Sequence, residues 1–412
     1  MGVSATWKLL VIGGAAFTLT LAGCSTTTGT PGRVRQEAEH RLSSNKAQLG
    51  AQQARQDFEV GNLENALFNI EGSIKLDSAA ADYYLMRGRI LLEMNQLDPA
   101  LESFNQALQL DSTLGAARYY SGLVYQRWSQ LSKAAEAYAA ALHADPANAD
   151  YMLAALETLI SMRQLDEADA LIESGRPHFE NNAAVNRSQG HLAMLREQPV
   201  LAAEHFQRAL LLNPDDKSIL EVLVLAYMKA DNFAKAEYYL DQLFRDPEYA
   251  ARPDLRHLKA LCLAAEGRLV EARSMYLKLV DDDPSDPQIW FELGSIAYKL
   301  GDMRRVQNVV SRTIAVWPGR FESFVLRGMV SEHENRMNDA IADYTRACDL
   351  HPAYEEPYIL LGLALQRTGR DAQAAEAFQT ARMIAPHSER AKSLASIAGV
   401  ETDSEISDTL NR

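Results

Sequence analysis

Small residues recur along this chain at one fixed spacing. Gly88, Gly122, Gly190, Ala260, Gly294, Gly328 and Gly362 are separated by 34, 68, 70, 34, 34 and 34 residues. The step of 68 is two periods with Leu156 in the middle slot. The step of 70 is two periods plus a two-residue insert, with Val224 in the slot, and Ala54 lies one period before Gly88. Twelve residues after each slot stands a second column: Ala66, Ala100, Ala134, Ala168, Ala202, Ala236, Ala272, Val306, Ala340 and Ala374. Four residues further on comes a bulky one: Ile70, Phe104, Tyr138, Ile172, Phe206, Leu240, Tyr276, Val310, Tyr344 and Phe378. Proline follows eight residues later at Pro146, Pro214, Pro284, Pro318, Pro352 and Pro386. A chain of 412 residues is too long for one ordinary compact core. A register held over ten copies marks units that stack on their neighbours.

The columns have a physical logic. Small side chains let two antiparallel helices approach closely, and the bulky column is expected to fill the space against the neighbouring pair. Gly61, Gly267, Gly301 and Gly369 fall between the two helices, where a helix end favours a left-handed glycine. Proline ends each unit because it cannot continue a helix, and Asp145-Pro146 and Asp283-Pro284 supply turn chemistry. This 34-residue helix–turn–helix pattern resembles the tetratricopeptide repeat family. The clearest copies are PQIWFELGSIAYKLGDMRRVQNVVSRTIAVWP, residues 287–318, and PYILLGLALQRTGRDAQAAEAFQTARMIAP, residues 357–386. The resemblance covers residues 47–386 as ten helix pairs, with the copies around Ala54 and Leu156 departing most from the pattern. It implies an all-α fold, an α-solenoid wound as a right-handed superhelix. The insert DPEYAARPDL, residues 246–255, is expected to lengthen one loop and bend the array there. Residues 387–412 are expected to begin as a capping helix and then fray.

The N-terminus reads differently. Residues 1–8 carry one lysine and no acid, and residues 9–22, LLVIGGAAFTLTLA, form an apolar run of 14. That is short of the roughly 20 residues a spanning helix needs and fits the apolar region of a secretory signal. Its end, Leu21-Ala22-Gly23-Cys24, resembles a bacterial lipobox. The resemblance implies that residues 1–23 are a removed lipoprotein signal peptide and that the Cys24 sulfur carries a diacylglycerol. Residues 24–46 would be the lipidated cysteine and a flexible tether. Ser25 after the cysteine implies sorting to the outer membrane of a Gram-negative bacterium, lipid-anchored at its periplasmic face. Two other readings are an unlipidated secreted protein and N-myristoylation at Gly2, which fits Met1-Gly2-Val3-Ser4-Ala5-Thr6 but would leave the apolar run dangling.

Catalytic signatures are missing from the sequence: no G-x-x-x-x-G-K-[ST], no G-x-G-x-x-G, no H-E-x-x-H, no C-x-x-C and no G-x-S-x-G. The expectation is a non-enzymatic protein with no cofactor and no small-molecule substrate; the alternative is an enzyme with a cryptic site in the groove. Cys262 and Cys348 lie more than two units apart, too far for a disulfide, and read as small core residues. The net charge of -14 argues against nucleic acid. It also means that lipid rather than electrostatics must hold the chain at a membrane. In the family resembled, the first helix of each pair lines the concave face. The positions three before and one after each slot then give candidate partner contacts: apolar and aromatic Tyr119, Leu123 and Phe291, and a charged middle of Glu157, Arg187, His191, Glu221 and His257. The function expected is a lipid-anchored scaffold whose groove binds a peptide or helix of another protein, in pilus, secretion, polysaccharide-export or peptidoglycan machinery.

Overall fold

A computed structural model describes residues 31–397, with side chains placed from Arg35 to Ser396. The signal sequence, the lipobox Leu21, Ala22, Gly23 and Cys24, and residues 398–412 lie outside the described residues. Those described form 22 helices and no strand. They divide into two compact units, with the boundary between Asp145 and Pro146.

The first unit holds three antiparallel pairs: α1 (Pro31–Glu59) with α2 (Leu63–Leu76), α3 (Ala81–Glu93) with α4 (Leu97–Leu110), and α5 (Gly115–Arg127) with α6 (Leu131–Ala144). The second unit continues with α7 (Ala149–Ser161) and α8 (Leu165–Phe179), α9 (Ala183–Leu195) and α10 (Pro199–Leu212), then α11 (Lys217–Lys229) and α12 (Phe233–Leu243). The insert folds as the single-turn helix α13 (Pro247–Ala251). Four more pairs follow: α14 (Pro253–Ala265) with α15 (Leu269–Asp282), α16 (Pro287–Lys299) with α17 (Met303–Val316), α18 (Phe321–His333) with α19 (Met337–Leu350), and α20 (Glu355–Arg367) with α21 (Asp371–Ile384). The short helix α22 (Glu389–Ile397) packs on α21 through Ala391 and Ala395. Ten pairs make an all-α solenoid architecture. Residues 31–46, expected as tether, are instead the N-terminal half of α1. Pro31 suits a first helical position, and the Arg, Gln, Glu, Ala and Lys that follow are strong helix formers.

Each column has one structural job. All ten members of the alanine column are buried, Val306 included. The bulky column does not face the neighbouring pair alone, as expected; each ring lies over the slot of its own pair. A Cβ built on Gly88 would come 2.4 Å from the Phe104 ring, and one on Gly122 or Gly190 equally close to Tyr138 or Phe206. Gly328 and Gly362 stand in the same relation to Tyr344 and Phe378, at 2.5 Å. Where the slot is larger, at Leu156 and Val224, its partner is aliphatic, Ile172 and Leu240. At Gly294 the partner is only Val310, and Leu326 of the next pair takes the space, 2.7 Å from a built Cβ.

The turn inside each pair is also periodic. Residues 61, 95, 129, 163, 197, 231, 267, 301, 335 and 369 all have positive φ, between 53° and 79°. Four are the glycines expected there. The other six are Asn95, Ser129, Arg163, Glu197, Asp231 and Asn335. All ten turns close the helix with the same hydrogen bond from the following N–H to the carbonyl five residues back, such as Gln96 to Leu91 at 2.8 Å and Gln198 to Ala193 at 2.9 Å. Between pairs, Asp283 shows the Asx turn, its Oδ1 accepting from the Ser285 N–H at 2.9 Å.

Two stability outcomes follow from this packing. Gly190→Ala should cost about 1–3 kcal/mol by overpacking against Phe206. In a double-mutant cycle with Phe206→Leu the losses should be less than additive, by about 1 kcal/mol; additive losses in denaturant unfolding would show that slot and ring do not share space. Glu197→Gly should raise stability by roughly 0.5–1 kcal/mol by relieving a left-handed non-glycine residue, and a lowered denaturant midpoint would refute that.

Candidate partner-binding face

The first helices of the pairs carry the residues in question, and the structure distributes them over both units. Tyr119 and Leu123 belong to α5 in the first unit. Glu157, Arg187, His191, Glu221, His257 and Phe291 belong to α7, α9, α11, α14 and α16 in the second.

In the first unit the face is aromatic and partly closed. Tyr119 packs edge-on against Tyr120, with ring centroids 5.4 Å apart, and meets Tyr138 at 5.6 Å. Leu123 is half-buried against the apolar core of α3, α4 and α5. The guanidinium of Arg89 sits 5.2 Å from both the Phe58 and Tyr120 rings, a cation–π sandwich spanning three successive pairs. Arg89 stands one residue after its slot and was legible as a face residue; Phe58 and Tyr120 were not.

In the second unit the charged residues reach toward the next pair. Arg187 Nη1 lies 3.6 Å from Asp216, the N-cap of α11, and donates to Ser218 Oγ at 3.4 Å. Glu221 accepts from Arg252 Nη1 at 2.8 Å, and Arg252 stands just before α14. Phe291 is buried rather than presented, with the Arg320 guanidinium 5.6 Å from its ring at the N-cap of α18. So three members of the column three residues before the slot touch the residue that opens the next first helix. The insert joins this seam. Tyr249 of α13 lies under Lys217 at 5.2 Å and Arg252 at 5.6 Å, and Lys217 pairs with Asp246. The Lys217 hydrogen bond holds the Asp246 carboxyl below the usual carboxylate range. Asp216, Arg252 and Arg320 escaped the sequence reading because they look like turn residues. Their signal is a spacing of 29 residues after the face position, or 31 where the insert intervenes.

The two histidines differ. The His257 ring meets Tyr276 edge-on at 5.9 Å, with its Nε2 buried and without a hydrogen-bond partner. Tyr276 Oη is also buried and unpartnered. Tyr138 and Tyr344 donate to Gln126 and Glu332, twelve residues upstream, where Tyr276 finds Ala264. The His191 ring packs its edge on Phe206 at 5.2 Å while its outer side stays in solvent. Glu157 is exposed. Away from this face, α8, α9 and α10 enclose an open cleft of about 500 Å³ lined by Ile172, Gln189 and His205 and bordered by Arg196. Arg196 bonds both Asp166 and Asp169 at 2.6 Å. Among the described residues no group of three side chains has the arrangement of a metal site, and no helix is long and apolar enough to cross a membrane.

Comparison with known proteins recognises several of these pairs. Tetratricopeptide repeat models match residues 81–114 and, in overlapping copies, 187–250, 222–287 and 257–305. The chain carries tetratricopeptide repeats. A further model, described as a bacterial transcriptional activator domain, matches residues 297–386, which fold as the same helix pairs. "Cellulose synthase 2 operon protein C" of Komagataeibacter xylinus is 27% identical over 230 residues, covering 50% of this chain. The match spans only 17% of that protein's length. Among solved structures, a tetratricopeptide repeat protein from Parabacteroides merdae is 18% identical, with a TM-score of 0.44 over 61% of this chain and 98% of the other. PilF of Pseudomonas aeruginosa is 20% identical, with a TM-score of 0.42 over 54% of this chain and 98% of its own.

One face residue of the repeat array offers a pH test. Burial against Phe206, and then the nearby Arg187 charge, hold the His191 pKa below its ordinary 6.5. The unfolded chain therefore binds that proton more readily than the folded one. The contribution to stability is present above about pH 6.5 and is lost as pH falls through the lowered folded value. On acidification through this window the melting temperature of the native sequence should fall more steeply than that of His191→Gln, measured by circular dichroism at constant ionic strength. Parallel curves would refute the assignment.

Proposed function

We propose that this protein is a non-enzymatic scaffold, anchored by lipid on Cys24 at the periplasmic face of the outer membrane, that collects protein partners along its first-helix face. The observation that carries this reading is the conjunction of a lipobox, Leu21-Ala22-Gly23-Cys24, with an array of ten tetratricopeptide pairs. Repeat arrays present extended surfaces on which other chains lie. The exposed and half-exposed side chains on that face are mixed: aromatic at Tyr119, acidic at Glu157, cationic at Arg187 and His191. Such a surface suits an amphipathic helix or an extended peptide. Phe291 serves stacking between pairs and Glu221 is closed off by a 2.8 Å bond from Arg252, whereas Arg187 makes only longer contacts, 3.4 Å to Ser218 and 3.6 Å to Asp216, so the binding part of the second unit centres on Glu157, Arg187 and His191. Two or three acyl chains suffice for stable anchoring where one is marginal. By its name, the Komagataeibacter relative lends support to a setting in polysaccharide export among the envelope machines considered.

Two measurements test the proposal together. Mass spectrometry of the protein from the envelope should find a mature chain beginning at Cys24 with diacylglycerol on its sulfur, and Cys24→Ser should move the protein to the soluble fraction. Crosslinking in the envelope should capture a protein partner whose yield drops for Arg187→Ala/His191→Ala. An unmodified thiol at residue 24 removes the anchor, and unchanged capture removes that patch from the binding face.

A further inference from the structure

The first helix has an outer side that neither the array nor the acyl anchor uses. From Arg35 to Leu42 every residue of α1 is exposed, and its first buried side chain is Ala47. On a 3.6-residue turn, the buried Ala47, Ala51 and Ala54 mark the side that packs with α2 and α3. The opposite side gathers Ala38, Leu42, Asn45 and Leu49, and the two leucines are 56% and 68% exposed. Arg35 and Lys46 border this stripe on one edge and Arg41 on the other; all three are exposed. The acids of the segment, Glu37 and Glu39, fall outside the stripe, and Glu39 accepts from Arg35 Nε at 2.9 Å.

A chain with a net charge of -14 thus turns outward one leucine-bearing, cation-edged helix face. Its place in the sequence matters as much as its chemistry. Six residues separate Cys24 from Pro31, a span of about 25 Å at most when extended. We propose that this face of α1 lies on an anionic phospholipid surface as a second membrane contact beside the acyl anchor, and its location rests on the reading that Cys24 is lipidated. The leucines enter the boundary between headgroups and acyl chains, and the long cationic side chains reach the phosphates while their stems cover the apolar stripe. The negative charge elsewhere does not cancel this, because charges more than a Debye length of about 10 Å away are largely screened.

The test uses the chain from residue 24 onward with Cys24→Ser, so that no acyl chain contributes. It is sedimented with vesicles of phosphatidylglycerol and phosphatidylethanolamine, and in parallel with vesicles of phosphatidylcholine. The expected result is binding to the anionic vesicles that is about tenfold or more stronger than to the neutral ones. Leu42→Ser/Leu49→Ser and, separately, Arg41→Gln/Lys46→Gln should each weaken anionic-vesicle binding by about tenfold. Their melting temperatures should stay unchanged, since all four positions are exposed. Absence of vesicle binding, or binding by either variant as strong as that of the unsubstituted probe, overturns the proposal. So does a result in which the leucine pair governs self-association in sedimentation equilibrium, or capture of a protein, without affecting vesicles. Because the probe carries no acyl chain, a failure here leaves lipidation of Cys24 standing. A native protein found without acyl groups leaves the vesicle result intact.

Discussion

Everything in the array depends on how closely the two helices of a pair can approach, and that is decided where the slot of the first helix meets the bulky residue of the second. The pair behaves as one volume. Glycine is matched by a ring at Gly88/Phe104, Gly122/Tyr138, Gly190/Phe206, Gly328/Tyr344 and Gly362/Phe378. Leu156 and Val224, which fill more of that volume themselves, face the smaller Ile172 and Leu240. Close-packed interiors tolerate neither void nor overlap, so a change on one side obliges a change on the other sixteen residues away. Gly294 shows the same constraint across pairs, where Leu326 supplies what Val310 does not. Ala260/Tyr276 departs from the trade, and the same tyrosine has a buried hydroxyl without a partner.

The turns show where residue identity stops being informative. Spacing locates all ten, but only four contain glycine, the residue that announces a left-handed conformation. At Arg163 and Glu197 nothing in the residue type suggests positive φ. The conformation is imposed there by the two helices, which must reverse within three residues, and by the closing hydrogen bonds from Gln164 to Leu159 and Gln198 to Ala193. Left-handed backbone costs an ordinary residue roughly 1–2 kcal/mol, which packing of the pair can offset. The fold was legible because it rests on side-chain volumes repeated ten times. The strain was not, because it results from packing elsewhere in each pair.

The candidate face was legible in a weaker sense. Periodicity identifies which positions of the first helices point away from their own second helix, and Glu157 and His191 are indeed exposed. It does not say whether the loop opening the next pair will reach back. Asp216, Arg252 and Arg320 do so, and they convert Arg187, Glu221 and Phe291 from isolated face residues into members of seams between pairs. Long side chains at turn positions are the reason: Arg252 combines a carboxylate contact with Glu221, a second with Asp254 and a ring contact with Tyr249. Three partners for one guanidinium cannot be inferred from a spacing that contains only one of them.

The two ends of the array put different demands on sequence. Within each unit an internal pair is covered by its neighbours, whereas α1 and α22 each keep an uncovered side. At the C-terminal end α22 buries Ala391 and Ala395 while exposing Lys392, Ser393 and Ser396. At the other end α1 is polar over Gln52, Gln53 and Gln56, as solubility requires, yet it keeps Leu42 and Leu49 exposed further toward Cys24. Net charge over the whole chain hides this, since an excess of acid on other helices masks the cations that edge those leucines. Solubility alone would have made the two ends alike. The difference between them fits the membrane contact proposed for α1, because the side chains present there are leucines and long cations.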